Sequence, residues 1–179
     1  MGNKYDGTRT LENLKYAFSV ESEARNKYTF FAAKAKEAGY EQLAEIYLKT
    51  ADNEKEHAEL WYKELNDLDN TLENLISSAN EESYEATDMY QKFAEIAEEE
   101  GFRDLAKTFR LVAQCESNHF YTYKKFIERF EDDTVFKDDD IILWRCRACG
   151  YIYQGKEAPD ECPCCKHKKA YFERFYEYN

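Results

Sequence analysis

No proline precedes Pro159, and only four glycines follow Gly7. Residues from about 8 to 131 are therefore free of strong helix breakers. No apolar run approaches the ~20 residues a bilayer span needs, which excludes a transmembrane helix. Lysine and arginine number 25 against 37 acids, a net charge of −12 with no basic cluster. Phosphate binding needs such a cluster, so a nucleic-acid partner is excluded as well. Histidine occurs only three times, and cysteine is nearly missing from the helical part, where Cys115 stands alone. Cys146, Cys149, Cys162, Cys164 and Cys165 crowd together near the C-terminus. That clustering, with no signal peptide ahead of it, favours a thiolate metal site over a disulfide framework and implies a reducing cytoplasm.

The spacing of apolar residues predicts four long helices. Thr8 or Thr10 caps the first, which carries Leu14, Phe18, Ala24 and Phe31 as an apolar stripe and ends at Gly39. The second is expected from Tyr40 to Leu65, with a turn over Asn66 to Asn70. The third is expected from Thr71 to Glu100 and the fourth, after Gly101, to Glu131. Short connections make neighbours antiparallel. Asp132 to Asp140 reads as an acidic linker, and Ile141 to Trp144 as a short strand leading into the cysteines. These features divide the chain into a helical part, 1–136, and a small metal-binding part, 137–179.

The two helical hairpins look like copies. At an offset of 62, Gly39 matches Gly101, Leu43 Leu105, Ala44 Ala106, Glu54 Glu116 and His57 His119. Glu21 falls on Ser83 at that offset, so the repeat is imperfect in the first and third helices.

Glu54 with His57 and Glu116 with His119 each form a Glu-x-x-His unit, which stacks a carboxylate and an imidazole on one helix face. One such unit is weak evidence in a glutamate-rich chain; equivalent placement in both copies is stronger. Ferritin-like di-metal sites take Glu-x-x-His from each of two helices and one Glu from each of the other two. Glu21 is the candidate on the first helix, although periodicity alone does not separate it from Glu23. Glu82 and Glu85 share a face on the third. Glu23, Glu56, Glu59 and Glu81 read as solvated. Carboxylates with imidazoles suit iron or manganese.

Cys146-x-x-Cys149 and Cys162-x-x-Cys165 have the spacing of a tetrathiolate site, with Cys164 a spare thiol inside the second pair. Sulfur spacing does not choose between zinc and iron.

In this order the motifs resemble rubrerythrins along nearly the whole chain. The carriers are Glu21-Ser22-Glu23-Ala24-Arg25-Asn26-Lys27-Tyr28, Glu54-Lys55-Glu56-His57, Glu82-Ser83-Tyr84-Glu85, Glu116-Ser117-Asn118-His119, and the segments Cys146 to Tyr153 and Cys162 to Cys165. The resemblance implies a mainly α protein, in which a ferritin-like antiparallel four-helix bundle is followed by a small rubredoxin-like β domain. It implies di-iron ligands Glu21, Glu54, Glu82, Glu85, Glu116 and His119, with His57 exchanging with Glu85 on reduction. Tyr28 and Tyr90 would donate hydrogen bonds beside the di-iron centre. Tyr151 and Tyr153 move the Cys146, Cys149, Cys162 and Cys165 site towards a single iron.

The activity implied is reduction of hydrogen peroxide to water in oxidative stress defence, with ferroxidase iron handling as the alternative. A head-to-tail homodimer would relay electrons from a separate rubredoxin or a reductase drawing on NAD(P)H. Two departures from the family pattern stand out. Cys164 occupies a place usually held by a small non-ligating residue, and Cys115, beside Glu116, is expected either in the core or as a thiol near the cluster.

Overall fold

The computed structural model describes residues 3–65 and 70–176. The chain forms two compact units, Met1–Asn70 and Thr71–Asn179, each taken by itself below. Most of the turn expected over Asn66 to Asn70 lies outside the described residues.

The first unit is an antiparallel hairpin of α1 (Arg9–Glu37) and α2 (Glu41–Leu65). Thr8 caps α1, its hydroxyl oxygen accepting from the Leu11 N–H at 3.2 Å. Gly39 takes φ +82° after α1 and donates to the Lys36 carbonyl, while Tyr40 donates to that of Ala35. Glycine reaches this left-handed conformation without a Cβ clash, so the chain reverses in three residues. The buried positions are Ala32, Ala35, Ala44, Ala51 and Ala58. Small side chains there let the helices approach closely. At the far end, Asn3 Nδ2 donates to the last-turn carbonyls of Glu64 and Leu65 at 2.9 and 2.8 Å. Those carbonyls have no partner within the helix, so Asn3 fixes where α2 stops.

The second unit repeats this hairpin with α3 (Thr71–Tyr84), a π-helical turn (Glu85–Met89), α4 (Tyr90–Glu99) and α5 (Arg103–Glu131). Buried Ala94, Ala97, Ala106 and Ala113 match Ala32, Ala35, Ala44 and Ala51 at the offset of 62. Gly101 (φ +88°) matches Gly39. An aromatic trio repeats too: Tyr28, Phe31 and Tyr47 in one hairpin, Tyr90, Phe93 and Phe109 in the other. Tyr28 to Tyr47 and Tyr90 to Phe109 measure 6.0 and 6.1 Å between ring centroids.

The expected third helix, Thr71 to Glu100, is thus interrupted. A π turn closes i to i+5 and takes one residue more than an α turn. This extra residue explains the imperfect repeat: Glu21 matches Glu82 at an offset of 61 before the turn, and Tyr28 matches Tyr90 at 62 after it.

The remainder of the second unit is a three-stranded antiparallel sheet in the order β2-β1-β3, from β1 (Lys137–Cys146), β2 (Ile152–Glu157) and β3 (Phe172–Phe175). Trp144, Cys146, Ala158, Cys162 and Phe172 form its core. Here β1 starts four residues before the expected Ile141, taking in Asp138 to Asp140. Arg174 is the reason: its guanidinium pairs with Asp138, donates to the Thr134 (2.9 Å) and Lys137 carbonyls, and lies 5.1 Å from the Trp144 ring. Among the described residues no helix is long and apolar enough to cross a membrane.

Candidate metal centres

Each hairpin sets one carboxylate of α1 or α3 against the Glu-x-x-His unit of its partner helix. In the first, His57 Nδ1 lies 2.9 Å from Glu54 Oε2 and 3.8 Å from Glu21 Oε1. In the second, His119 Nδ1 lies 2.8 Å from Glu116 Oε2 and 3.2 Å from Glu82 Oε2. Within each triad one ligand atom per residue falls within 4.8 Å of the others. The carboxylates are recessed, Glu54 and Glu116 being 17% and 15% exposed, whereas the imidazoles of His57 and His119 are 50% and 57% exposed. Each triad therefore opens outward from its own hairpin.

The electrostatics are those of a site that wants positive charge. Burial raises the Glu21 carboxyl above its usual range, and its hydrogen bond with Glu54 and the charge of Glu54 add to the rise. The hydrogen bond with Glu82 leads the causes that raise His119. Glu85 is raised by burial first and then by the charges of Glu116 and Glu82, so it faces the second triad, where the π turn begins. Among the described residues no three-group cluster within 4.8 Å includes it. Tyr90 is held neutral by burial, then by Glu85 and Glu116. Tyr28 packs its ring against Tyr47 and Phe31.

Crowded carboxylates that share protons in the absence of cations fit a pair of divalent ions, which would replace those protons. The solvated acids behave otherwise. Glu23 pairs with Lys27, Glu59 with Lys63 and Glu56 with Lys55, while Glu81 accepts from Ser77 at 3.3 Å.

The four cysteines of the C-terminal part converge. Cys146 Sγ is 3.7 Å from Cys165 Sγ, and Cys149 Sγ is 3.7 Å from Cys162 Sγ. A tetrahedron with metal–sulfur bonds of about 2.3 Å has edges of about 3.75 Å, so the site fits a tetrathiolate ion. Two equivalent knuckles build it: Gly150 donates to the Cys146 carbonyl at 2.8 Å, and Lys166 to that of Cys162 at 3.0 Å. Gly150 takes φ +78° and Lys166 takes φ +64°, a left-handed position where a lysine is strained. Burial raises the Cys162 thiol, but the N–H groups of Cys165 and Cys164 outweigh it and bring it to about 7. Cys164 is exposed and outside the four-sulfur cluster. Cys115 is also exposed and not a core residue, because position 115 faces away from the alanine seam at Ala106 and Ala113.

Sequence reasoning missed the π turn. The signal was present in the one-residue change of repeat offset between Glu82 and Tyr90.

Residues 12–127 match the rubrerythrin family profile, and residues 144–173 match that of the rubrerythrin rubredoxin-like domain. A rubrerythrin of Clostridium perfringens is 42% identical over 188 positions that take in 96% of each chain. Those 188 positions exceed the 179 residues here, so that relative carries residues this chain lacks. Rubrerythrin-1 of Clostridium acetobutylicum is 43% identical, covering 93% of this chain and 94% of its own. A solved structure described as the partially reduced state of nigerythrin is 34% identical, with 97% of this chain and 90% of that one covered and a TM-score of 0.37.

Proposed function

The chain belongs to the rubrerythrin family, and from that premise we propose that it is a non-haem iron peroxidase reducing hydrogen peroxide to water. The observation that carries this reading is the pair of outward-opening Glu-Glu-His triads joined in one chain to a four-sulfur site. A storage protein has no use for the second feature, whereas a peroxidase needs one. The reaction breaks the O–O bond and consumes two electrons and two protons per peroxide, releasing two waters. When bound, a ferrous pair supplies both electrons and the cysteine-held iron restores them singly.

The residues divide this work. Glu21, Glu54, Glu82, Glu116 and His119 hold the pair, and Glu85 and His57 are alternate ligands. Burial and the charges of Glu116 and Glu82 raise the Glu85 carboxyl, and its place at the start of a π turn gives it an aim that a regular helix would not. Tyr90, kept neutral, donates its hydroxyl proton to an oxygen beside Glu85; Tyr28 does the same in the other hairpin. Cys146, Cys149, Cys162 and Cys165 hold the single iron in a domain spanning 137–179, while 1–136 forms the di-iron part.

A head-to-tail homodimer in the cytoplasm brings the sulfur site of one chain near the di-iron site of another. A rubredoxin or a reductase drawing on NAD(P)H supplies the electrons. Stopped-flow mixing of the chemically reduced iron-loaded protein with peroxide tests this: one peroxide should be consumed per ferrous pair. Slow oxidation by peroxide and fast oxidation by dioxygen would contradict it and favour ferroxidase chemistry.

A further inference from the structure

We propose that Arg174 is a positioning residue for electron delivery: by tying β3 to the end of α5, it holds the sulfur site at one set direction from the helix that carries Glu116 and His119. The inference rests on the relay reading above and names the side chain on which the relay's geometry depends.

The stretch from Asp132 to Asp140 has the composition of a free linker, yet its first residues are bonded to their surroundings. Asp132, Asp133 and Thr134 donate to the carbonyls of Glu128, Phe130 and Arg129 at 3.0, 3.3 and 2.8 Å, so they continue the hydrogen bonding of α5. Lys137 donates back to the Thr134 carbonyl at 3.3 Å, and the Phe136 carbonyl accepts from Ala158 at 2.9 Å. Thr134 is the join: its N–H belongs to α5, and its carbonyl accepts from Arg174 at 2.9 Å. The same guanidinium reaches the Lys137 carbonyl and the Asp138 carboxylate. One side chain of β3 thus gathers three acceptors of the connection at fixed angles, as a planar fork of N–H groups does and a flexible ammonium does not.

Stability alone does not account for an arginine here. Its side chain is only 11% exposed and lies over the Trp144 ring, and among the described residues its buried Nε has no acceptor. An apolar side chain against Trp144 would avoid that cost, since buried ion pairs often give way to hydrophobic residues without loss of stability. What it would not do is hold Thr134 and Lys137. Without those bonds, Asp138, Asp139 and Asp140 are successive like charges at the start of a strand, where aspartate is disfavoured. The ion pair of Lys137 with Asp133 across the same join is exposed and therefore weak. Asp133 already takes φ +53°, where the chain turns away from the helix. Released from Arg174, the sulfur domain would swing about Asp133 to Val135. Electron transfer falls steeply with separation, so a domain sampling many directions delivers more slowly than one held in place.

The step at issue moves one electron: the sulfur-held iron goes from ferrous to ferric, and a pair that peroxide has oxidised by two electrons recovers one. The test compares the full-length wild type with Arg174→Lys, which keeps the charge but not the fork, and with Arg174→Met/Asp138→Asn, which strands no carboxylate. Hydrogen exchange read by mass spectrometry reports the join without turnover. The amides of 134–140 should exchange about tenfold or more faster in both variants, with those of 143–146 unchanged. In stopped flow, the reduced iron-loaded variants should consume peroxide at the wild-type rate and end with the wild-type spectrum, but thiolate-to-iron colour should appear about tenfold or more slowly. Unmoved exchange, or colour at the wild-type pace, overturns the proposal. So does full rescue by Arg174→Lys, which would make the charge and not the bridge what matters. Loss of the thiolate iron from both variants also overturns it, leaving Arg174 a part of the sulfur domain's own stability. A wild type that consumes peroxide without gaining colour would instead defeat the relay reading, whatever the exchange shows.

Discussion

His119 Nδ1 lies 3.2 Å from Glu82 Oε2, across the second hairpin, just where His57 faces Glu21 in the first. The second hairpin differs by having Glu85 one turn on, at the start of a π turn without a counterpart near Glu21. That asymmetry is the ground for proposing Glu85 as the labile ligand. Glu85→Ala should leave the helical circular dichroism and the bundle iron largely intact but slow single-turnover oxidation by peroxide by about 10²-fold or more, as loss of a positioned group typically does. An unchanged rate would remove Glu85 from the chemistry.

Cys146 is fully buried in the core of the sulfur site, so replacing it should affect that site alone. Cys146→Ser should abolish thiolate-to-iron colour and steady-state turnover with a donor protein, while the chemically reduced di-iron site still reacts once with peroxide. Loss of both activities together would refute the division of labour.

Metal removal leaves Glu21, Glu85 and His119 all with raised pKa values. A group whose folded pKa exceeds its unfolded value adds stability below the unfolded value and loses it as pH rises through the folded one. The metal-free protein should therefore lose thermal stability as pH rises from the ordinary glutamate range past the ordinary histidine range. The iron-loaded protein should not, since its ligands are already deprotonated. Melting curves of both forms across that window check the sign.

Lys166 and Gly150 occupy equivalent left-handed positions, but only glycine does so without strain. Lys166→Gly should slow loss of thiolate-iron colour in denaturant by about fivefold, and Gly150→Ala should hasten it similarly, each reflecting about 1 kcal/mol. Equal rates in all three proteins would show that backbone strain is not stored there.

The helices were legible because breakers are so few: Thr8, Gly39, Gly101 and the polar stretch before Thr71 mark their ends, and the structure keeps those ends. The cysteine site was legible because two knuckles repeat the same spacing. The π turn was not, since its signal is a one-residue slip within a repeat and no residue type encodes it. Nor was the start of β1, which depends on Arg174 reaching back from β3, a contact over 36 residues. Of the two places expected for Cys115, the core one rested on residue type alone and fails, because burial on α5 follows the alanine seam and position 115 lies off it. Phe31, part of the expected apolar stripe, is half exposed. Its ring partners, Tyr28 and Tyr47, flank it without covering it, and periodicity gives a face but not how far that face is covered.

The central claim is that the chain couples a peroxide-reducing di-iron site to a thiolate iron. Its most direct test is metal analysis and visible absorption of anaerobically purified, reduced protein before and after stoichiometric peroxide. The account predicts two irons in the bundle and one in the cysteine site per chain, with thiolate-to-iron colour appearing as peroxide is consumed. Zinc in the cysteine site, or a bundle without iron, would contradict it.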